Sequence, residues 1–197
     1  MFVHLFHRVG SLLLVAGLIA GCSTAPEMPR FPDLTYGYLG KMTFDAAPVE
    51  IVDEYRPPLK EPNIEHKVPS PPALAMRRWA IDRLDGTGNP DRRAVFTIQQ
   101  AAITETRLPR TEGLRGIVTT DQSERYDLTL AARFELFEGR TRVGIATASV
   151  NRSRTVAEDI TLNDRDKLLF GMVESAMLDF NKEMEQSIAQ FLGRYQR

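Results

Sequence analysis

One residue of the chain, a cysteine, has a reactive thiol, and its position in the sequence indicates its role. Cys22 is the only cysteine, and two small residues, Ala20 and Gly21, separate it from an uncharged apolar run at residues 9–19. A short basic region that ends at Arg8 precedes this run. The order of basic, apolar and small-residue segments is typical of a cleaved secretory signal peptide. A single cysteine also means that the chain forms no intramolecular disulfide.

Residues 18–22, Leu-Ile-Ala-Gly-Cys, resemble the lipobox of bacterial lipoproteins. In that family the cysteine thiol is acylated with a diacylglycerol, the bond before the cysteine is cut, and the new amino group is usually acylated too. The resemblance implies a lipoprotein signal peptide at residues 1–21 and a lipid attachment at Cys22, and several acyl chains anchor a protein firmly. The alternative is a single transmembrane helix, but the apolar run is shorter than the roughly 20 residues that span a bilayer.

Residues 22–41 are predicted to form a tether between the anchor and the folded domain. Prolines recur there at three-residue spacing, and proline fixes φ and donates no backbone hydrogen bond, which favours an extended chain. Ser23, not aspartate, follows Cys22, and in the enterobacterial pattern such lipoproteins are forwarded to the outer membrane. We therefore expect a lipid-anchored protein on the periplasmic face of the outer membrane, with the inner membrane as the alternative.

Composition limits the remaining function classes. The chain has 197 residues, 43% of them hydrophobic, and a formal net charge of −1. This composition can bury the core of one domain, and the near-zero charge gives no reason to expect nucleic acid as a partner. Residues 77–154 are rich in arginine and contain no lysine. Arginine suits phosphate and carboxylate, although a solvated sheet face also explains the bias.

The residues that could support catalysis are few. After removal of the signal peptide the only histidine is His66, which lies among prolines and charged residues. A Ser-His-Asp or Cys-His set needs a second anchoring group, and no cluster has the spacing of metal ligands. Paired carboxylates stay open as an alternative, because 26 acidic residues offer many pairs. The sequence predicts a protein that is not an enzyme and that binds no cofactor or metal.

The hydrophobic patterning predicts elements in the order β-α-β-β-β-α. Strands are expected at residues 42–55, 94–106, 126–137 and 140–154, and helices at 71–84 and 163–197. The third strand alternates most clearly, with Leu130 and Phe134 on the apolar side, and the shift of alternation at Gln99 and Gln100 predicts a β-bulge. We therefore predict an α+β fold at residues 42–197, an antiparallel four-stranded sheet with two helices packed on one face.

Two further features concern the first helix. A Pro-rich connector, residues 56–72, precedes it and is expected to cross the domain without regular structure, with a polyproline ligand as the alternative. At 100° per residue the apolar arc of the helix places five residues on the inner side, and Trp79 lies off that arc beside Ala75. The five residues are Leu74, Met76, Ala80, Ile81 and Leu84.

Residues 70–197 resemble the ABC transport auxiliary (PqiC-like) lipoproteins and, more distantly, the LptE-like envelope lipoproteins. The resemblance includes the lipobox, the first helix with Arg77-Arg78-Trp79, the alternating strand at 126–137 and the amphipathic last helix. The Pro-rich connector departs from both families. The resemblance implies a non-catalytic accessory subunit of a lipid transport or outer-membrane assembly system, attached to the membrane by its lipid anchor.

The expected partner is an envelope protein, either a transporter subunit or an outer-membrane protein. The predicted partner-binding residues are Arg77, Arg78 and Trp79 on the first helix and Phe191 and Tyr195 near the end of the last, because aromatic residues and arginine are enriched in interface anchors. Two alternatives remain: partial burial of Trp79 under the connector, and a last helix that lies diagonally over the sheet with a frayed end. A structural or regulatory lipoprotein bound to a cell-wall synthase or secretion pore also fits the sequence.

Overall fold

The computed structural model describes residues 31–109 and 122–197. The predicted signal peptide and Cys22 lie outside the described residues. The described elements are β1 (Met42–Phe44), β2 (Glu50–Asp53), α1 (Pro72–Arg83), β3 (Leu84–Gly86), β4 (Arg92–Arg107), β5 (Gln122–Glu138), β6 (Thr141–Ala157) and α2 (Leu162–Leu192), with short 3₁₀ helices at Gly37–Leu39 and Gly193–Tyr195.

The main sheet has four strands in the order β2-β4-β5-β6. β4, β5 and β6 are antiparallel, as predicted, but β2 runs parallel to β4. The prediction of a purely antiparallel sheet is therefore wrong at this edge. The Pro-rich connector and α1 return the chain to the starting end of β2 before β4 begins, and such a crossover joins parallel strands.

A second, two-stranded sheet pairs β1 with β3 in parallel. The predicted strand at 42–55 is interrupted, because the chain leaves β1 after Phe44 and pairs again only at β2. β3 follows α1 directly, at residues where no strand was predicted. A Cβ atom at Gly86 would collide with the carbonyl oxygen of Ala47, so the close approach of these two segments requires glycine there.

The long hairpin of β5 and β6 agrees with the sequence pattern. Glu138 pairs with Thr141 across a turn that includes Gly139, which has φ of 58°. The register of β4 shifts between Ile98 and Gln100, which confirms the predicted bulge. The inner face of β5 is buried along its length, at Tyr126, Leu128, Leu130, Ala132, Phe134 and Leu136.

Both helices cover this inner face. The Trp79 ring of α1 lies 5.5 Å from the Phe96 ring of β4 and 5.2 Å from the Phe180 ring of α2, centroid to centroid. α2 begins after Thr161, whose hydroxyl oxygen accepts from the Asp164 backbone N–H at 3.2 Å. The cap is therefore Thr161, and the helix begins at Leu162, one residue before the predicted start at 163.

The connector and the segment before β1 also pack on the domain. Ile64 N–H donates to the Ile103 carbonyl at 2.8 Å, so the connector follows β4 beyond the end of β2. Tyr36 is buried, and its backbone N–H donates to Asp82 Oδ2 at 2.8 Å. The packed chain thus begins before the predicted boundary at residue 41.

Candidate functional site

Trp79 is a core residue. It is fully buried between Phe96 and Phe180, and its Nε1–H donates to Asn181 Oδ1 at 2.9 Å. The prediction that Trp79 binds a partner is therefore wrong. A tryptophan with a satisfied N–H and two ring neighbours stabilises the joint between α1 and α2.

Tyr195 is also part of the folded core. Only 8% of it is exposed, and Arg92 and Arg194 lie over its ring at 5.3 and 4.7 Å from the centroid. The Asp45 backbone N–H donates to its carbonyl at 2.8 Å, which ties the chain end to the segment after β1. The prediction of Tyr195 as a partner-binding residue is wrong, while Phe191 is 54% exposed.

The exposed side of α1 carries two aliphatic residues that the sequence placed inside. Leu74 is 63% exposed and Ile81 is 51% exposed. Arg77 and Arg78 lie between them at helical spacing, so the four residues share one side of the helix. We call Leu74, Arg77, Arg78 and Ile81 the α1 face.

Both arginines of the α1 face make ion pairs, Arg77 with a strand of the domain and Arg78 within α1 itself. Arg77 pairs with Asp53 at the end of β2, and Arg78 Nε lies 3.7 Å from Asp82 Oδ2. Both guanidinium groups remain partly exposed, so each pair contributes little to stability. The pairs instead orient the charged ends, which leaves the aliphatic stems and Leu74 and Ile81 open to a partner.

A groove of about 380 Å³ runs along the α1 face. Its far walls are the segment before β1, at Asp33 and Leu34, and the end of the connector at residues 69–71. The groove thus brings the segment before β1 against the end of the connector and α1, which follow it far along the chain. Its mixture of aliphatic and charged walls suits a protein side chain.

A second depression of about 370 Å³ lies on the other side of Leu74. It is mostly apolar and contains His66 and the buried carboxyl group of Glu65. Tyr55 Oη–H donates to Glu65 Oε1 at 2.7 Å. Burial, reinforced by Glu65, raises the pKa of Tyr55 above its ordinary value, so the phenol stays a donor. Glu65 also accepts from Asn63 and from the Ile103 N–H, at 3.3 Å each.

The sequence pattern missed Leu74 and Ile81 because both were assigned to the inner arc. The available signal was the pair Ala75 and Trp79, one turn apart. A small residue beside the largest one marks the side of a helix that approaches another helix closely, and the structure buries both.

Within residues 31–109 and 122–197, no three His, Asp or Glu side chains are close enough together to hold a metal ion. In the same ranges no helix is both long and apolar enough to cross a membrane.

No protein-family model and no curated protein matches this sequence. A crystal structure from Xanthomonas campestris, of a protein in family DUF330, is similar at 8% identity and a TM-score of 0.30, covering 74% of this chain and 87% of the other. A PelC dodecamer from Paraburkholderia phytofirmans is similar at 15% identity and a TM-score of 0.18, covering 74% and 90%. Similarities at these TM-scores support no conclusion about fold or function.

Proposed function

We propose that the protein is a lipid-anchored envelope lipoprotein that acts as a non-catalytic accessory subunit of a lipid transport or outer-membrane assembly system. The observation that carries the proposal is the α1 face, where Leu74 and Ile81 are exposed beside a groove. Burying such a side chain contributes about 1.5–3 kcal/mol. A domain that leaves both in water gains this energy when a partner covers them.

The composition of the α1 face supports a protein partner. Arginine is enriched among the residues that dominate binding energy, and aliphatic side chains supply the apolar centre of an interface. Arg77 and Arg78 are already oriented by Asp53 and Asp82. Less side-chain entropy is then lost when a partner binds.

The predicted lipid anchor limits the distance between the groove and the bilayer surface. Asp33, which lines the groove, follows Cys22 by 11 residues. An extended chain of this length spans at most about 40 Å. An acylated Cys22 would hold the groove within that distance of the bilayer surface, where a membrane-embedded partner can reach it.

The proposal is tested by affinity purification of the full-length protein, expressed with its signal peptide, from detergent-solubilised envelopes. We expect transporter subunits or an outer-membrane protein among the recovered partners. Recovery of cell-wall synthases or of a secretion pore in their place would contradict the transport role and support the regulatory alternative.

The anchor has a separate test. Mass spectrometry of the mature protein should show an acylated N-terminal Cys22 and no residues 1–21. Cys22→Ser should release the protein from membranes or leave it unprocessed. An unmodified Cys22 in a membrane-bound mature protein would exclude the lipoprotein assignment.

A further inference from the structure

α2 covers one half of the outer edge of β6. Ser187 Oγ accepts from the Thr147 backbone N–H at 2.9 Å, and Glu183 Oε1 accepts from the Ser149 N–H at 3.0 Å. The N–H groups of alternate residues in an edge strand point away from the sheet. Along this half of β6, side chains of α2 thus accept the hydrogen bonds that a neighbouring strand would otherwise accept.

The same alternation continues into the other half. β5 and β6 pair without irregularity from Glu124 and Val156 to Leu136 and Gly144. The N–H groups of Asn151, Ser153 and Thr155 therefore point outward. Within residues 31–109 and 122–197 no group accepts a hydrogen bond from any of the three.

The path of α2 explains why this half is open. Asp179 of α2 pairs with Arg152 at the edge, whereas Arg165, nearer the start of the helix, pairs with Glu105 of β4. The helix crosses the sheet diagonally, and within the described residues none of its side chains accepts a hydrogen bond from an outward N–H of β6 beyond Ser149. Residues 151, 153, 154 and 155 are exposed. We call residues 151–155 the free edge.

Proteins usually blunt such an edge with proline, bulges or charge, because free backbone donors recruit other strands. The free edge has no proline and no bulge. Its one exposed charge without an ion-pair partner within the described residues is Arg154. In an antiparallel pair of two copies centred on Ser153, Arg154 of each copy would face Arg152 of the other, and like charges directly opposite are destabilising.

We propose that the free edge binds an extended acidic peptide segment of a partner protein by strand addition. Three backbone N–H groups at two-residue spacing supply the main-chain hydrogen bonds, and Arg154 supplies the preference for negative charge. This surface is separate from the α1 face, and the inference does not depend on the proposed function. The backbone donors and the positive charge can each be removed by a separate substitution.

The test uses a fluorescein-labelled heptapeptide of alternating glutamate and valine, titrated into the full-length protein in detergent and followed by fluorescence anisotropy. Ser153→Pro removes one outward N–H without touching the hydrogen bonds to β5, because proline is tolerated on the open side of an edge strand. We expect it to weaken binding at least tenfold, whereas the control Ser153→Ala keeps the N–H and binds as the unchanged protein does. Arg154→Glu should weaken binding at least fivefold, and a lysine-valine peptide should bind at least tenfold more weakly.

Three results would overturn the inference. The first is unchanged peptide binding by Ser153→Pro. The second is equal binding of the lysine-valine peptide. The third is a dimer of the unchanged protein in sedimentation that Ser153→Pro dissolves, since the occupant would then be a second copy.

Hydrogen exchange of the backbone amides tests the inference even if Ser153→Pro fails to fold. In the unchanged protein, the acidic peptide should slow exchange of the amides of Asn151, Ser153 and Thr155 at least tenfold. Equal exchange with and without saturating peptide would overturn the inference equally.

Discussion

The two helices lie in one layer on one sheet, yet their hydrophobic residues behave differently. Along α2 the apolar stripe is buried to its end, including Phe180, Ile188 and Leu192. In α1 the largest aliphatic residues, Leu74 and Ile81, are exposed. The comparison shows that a long stripe determines how a helix packs, whereas a 12-residue helix can be oriented by a few specific contacts.

The contacts that orient α1 come from α2. Asn181 Oδ1 accepts from Trp79 Nε1 at 2.9 Å and from Arg83 Nε at 3.3 Å. Arg83 is buried, pairs with Glu185, and donates to the Leu39 carbonyl at 2.7 Å. This polar network fixes the rotation of α1, because a buried guanidinium or indole N–H without a partner is costly.

The largest expected difference in unfolding free energy is between a substitution on the buried side of α1 and one on its exposed side. Trp79→Ala removes a fully buried ring and should lower the free energy of unfolding by about 3–5 kcal/mol. Leu74→Ala should change it by about 0.5 kcal/mol or less. Urea denaturation measures both values, and equal losses at the two positions would show that α1 is rotated differently.

The end of α2 gives a second test. Leu192 is fully buried, whereas its neighbour Phe191 is 54% exposed. We expect Leu192→Ala to cost about 2–4 kcal/mol and Phe191→Ala about 0.5 kcal/mol or less. Thermal and urea unfolding of the pair measure the difference. If Leu192→Ala left the free energy of unfolding unchanged, the last turn of α2 would not be packed on the sheet.

The network between the helices should have an intermediate effect. Asn181→Ala leaves the Trp79 N–H buried without its acceptor and should cost about 1–3 kcal/mol. The matched control is Lys182→Ala, one residue further on the exposed side of α2. Similar unfolding curves for the two variants would mean that the network does not hold α1 in place.

The smallest effect concerns the sheet face that neither helix covers. There burial alone would raise the pKa of Glu135, but hydrogen bonds and charge from Arg142 and Arg133 hold its pKa below the ordinary value of 4.5. Stability from a lowered carboxyl pKa is present above that value and is lost as pH falls through the folded-state pKa. Glu135→Gln should therefore flatten the decline of unfolding free energy below about pH 4.5. An unchanged acid slope would contradict this assignment.

Local patterns explain which parts of the fold could be predicted from sequence. The alternation of β5, the bulge near Gln100 and the stripe of α2 are properties of neighbouring residues. The parallel pairing of β2 depends on where the connector and α1 return the chain, and β3 is too short to leave a pattern. The rotation of α1 depends on Asn181, 102 positions from Trp79.

The prediction of the candidate site was limited in the same way, because it too rested on local sequence patterns. Arg77, Arg78 and Phe191 were predicted as surface residues, and the structure leaves them accessible. Trp79 and Tyr195 were predicted as surface residues because aromatic residues anchor interfaces, yet aromatic residues also fill cores. Only the contacts of each ring distinguish the two roles.

The proposed docking through the α1 face is tested most directly by quantitative co-purification. Leu74→Glu combined with Ile81→Glu should reduce recovery of the envelope partner at least tenfold while the thermal midpoint stays within about 2 °C, since both residues are exposed. Leu178→Glu, on α2 and 54% exposed, is the matched control and should leave recovery unchanged. Full recovery with the double variant, or equal loss with Leu178→Glu, would contradict docking through the α1 face.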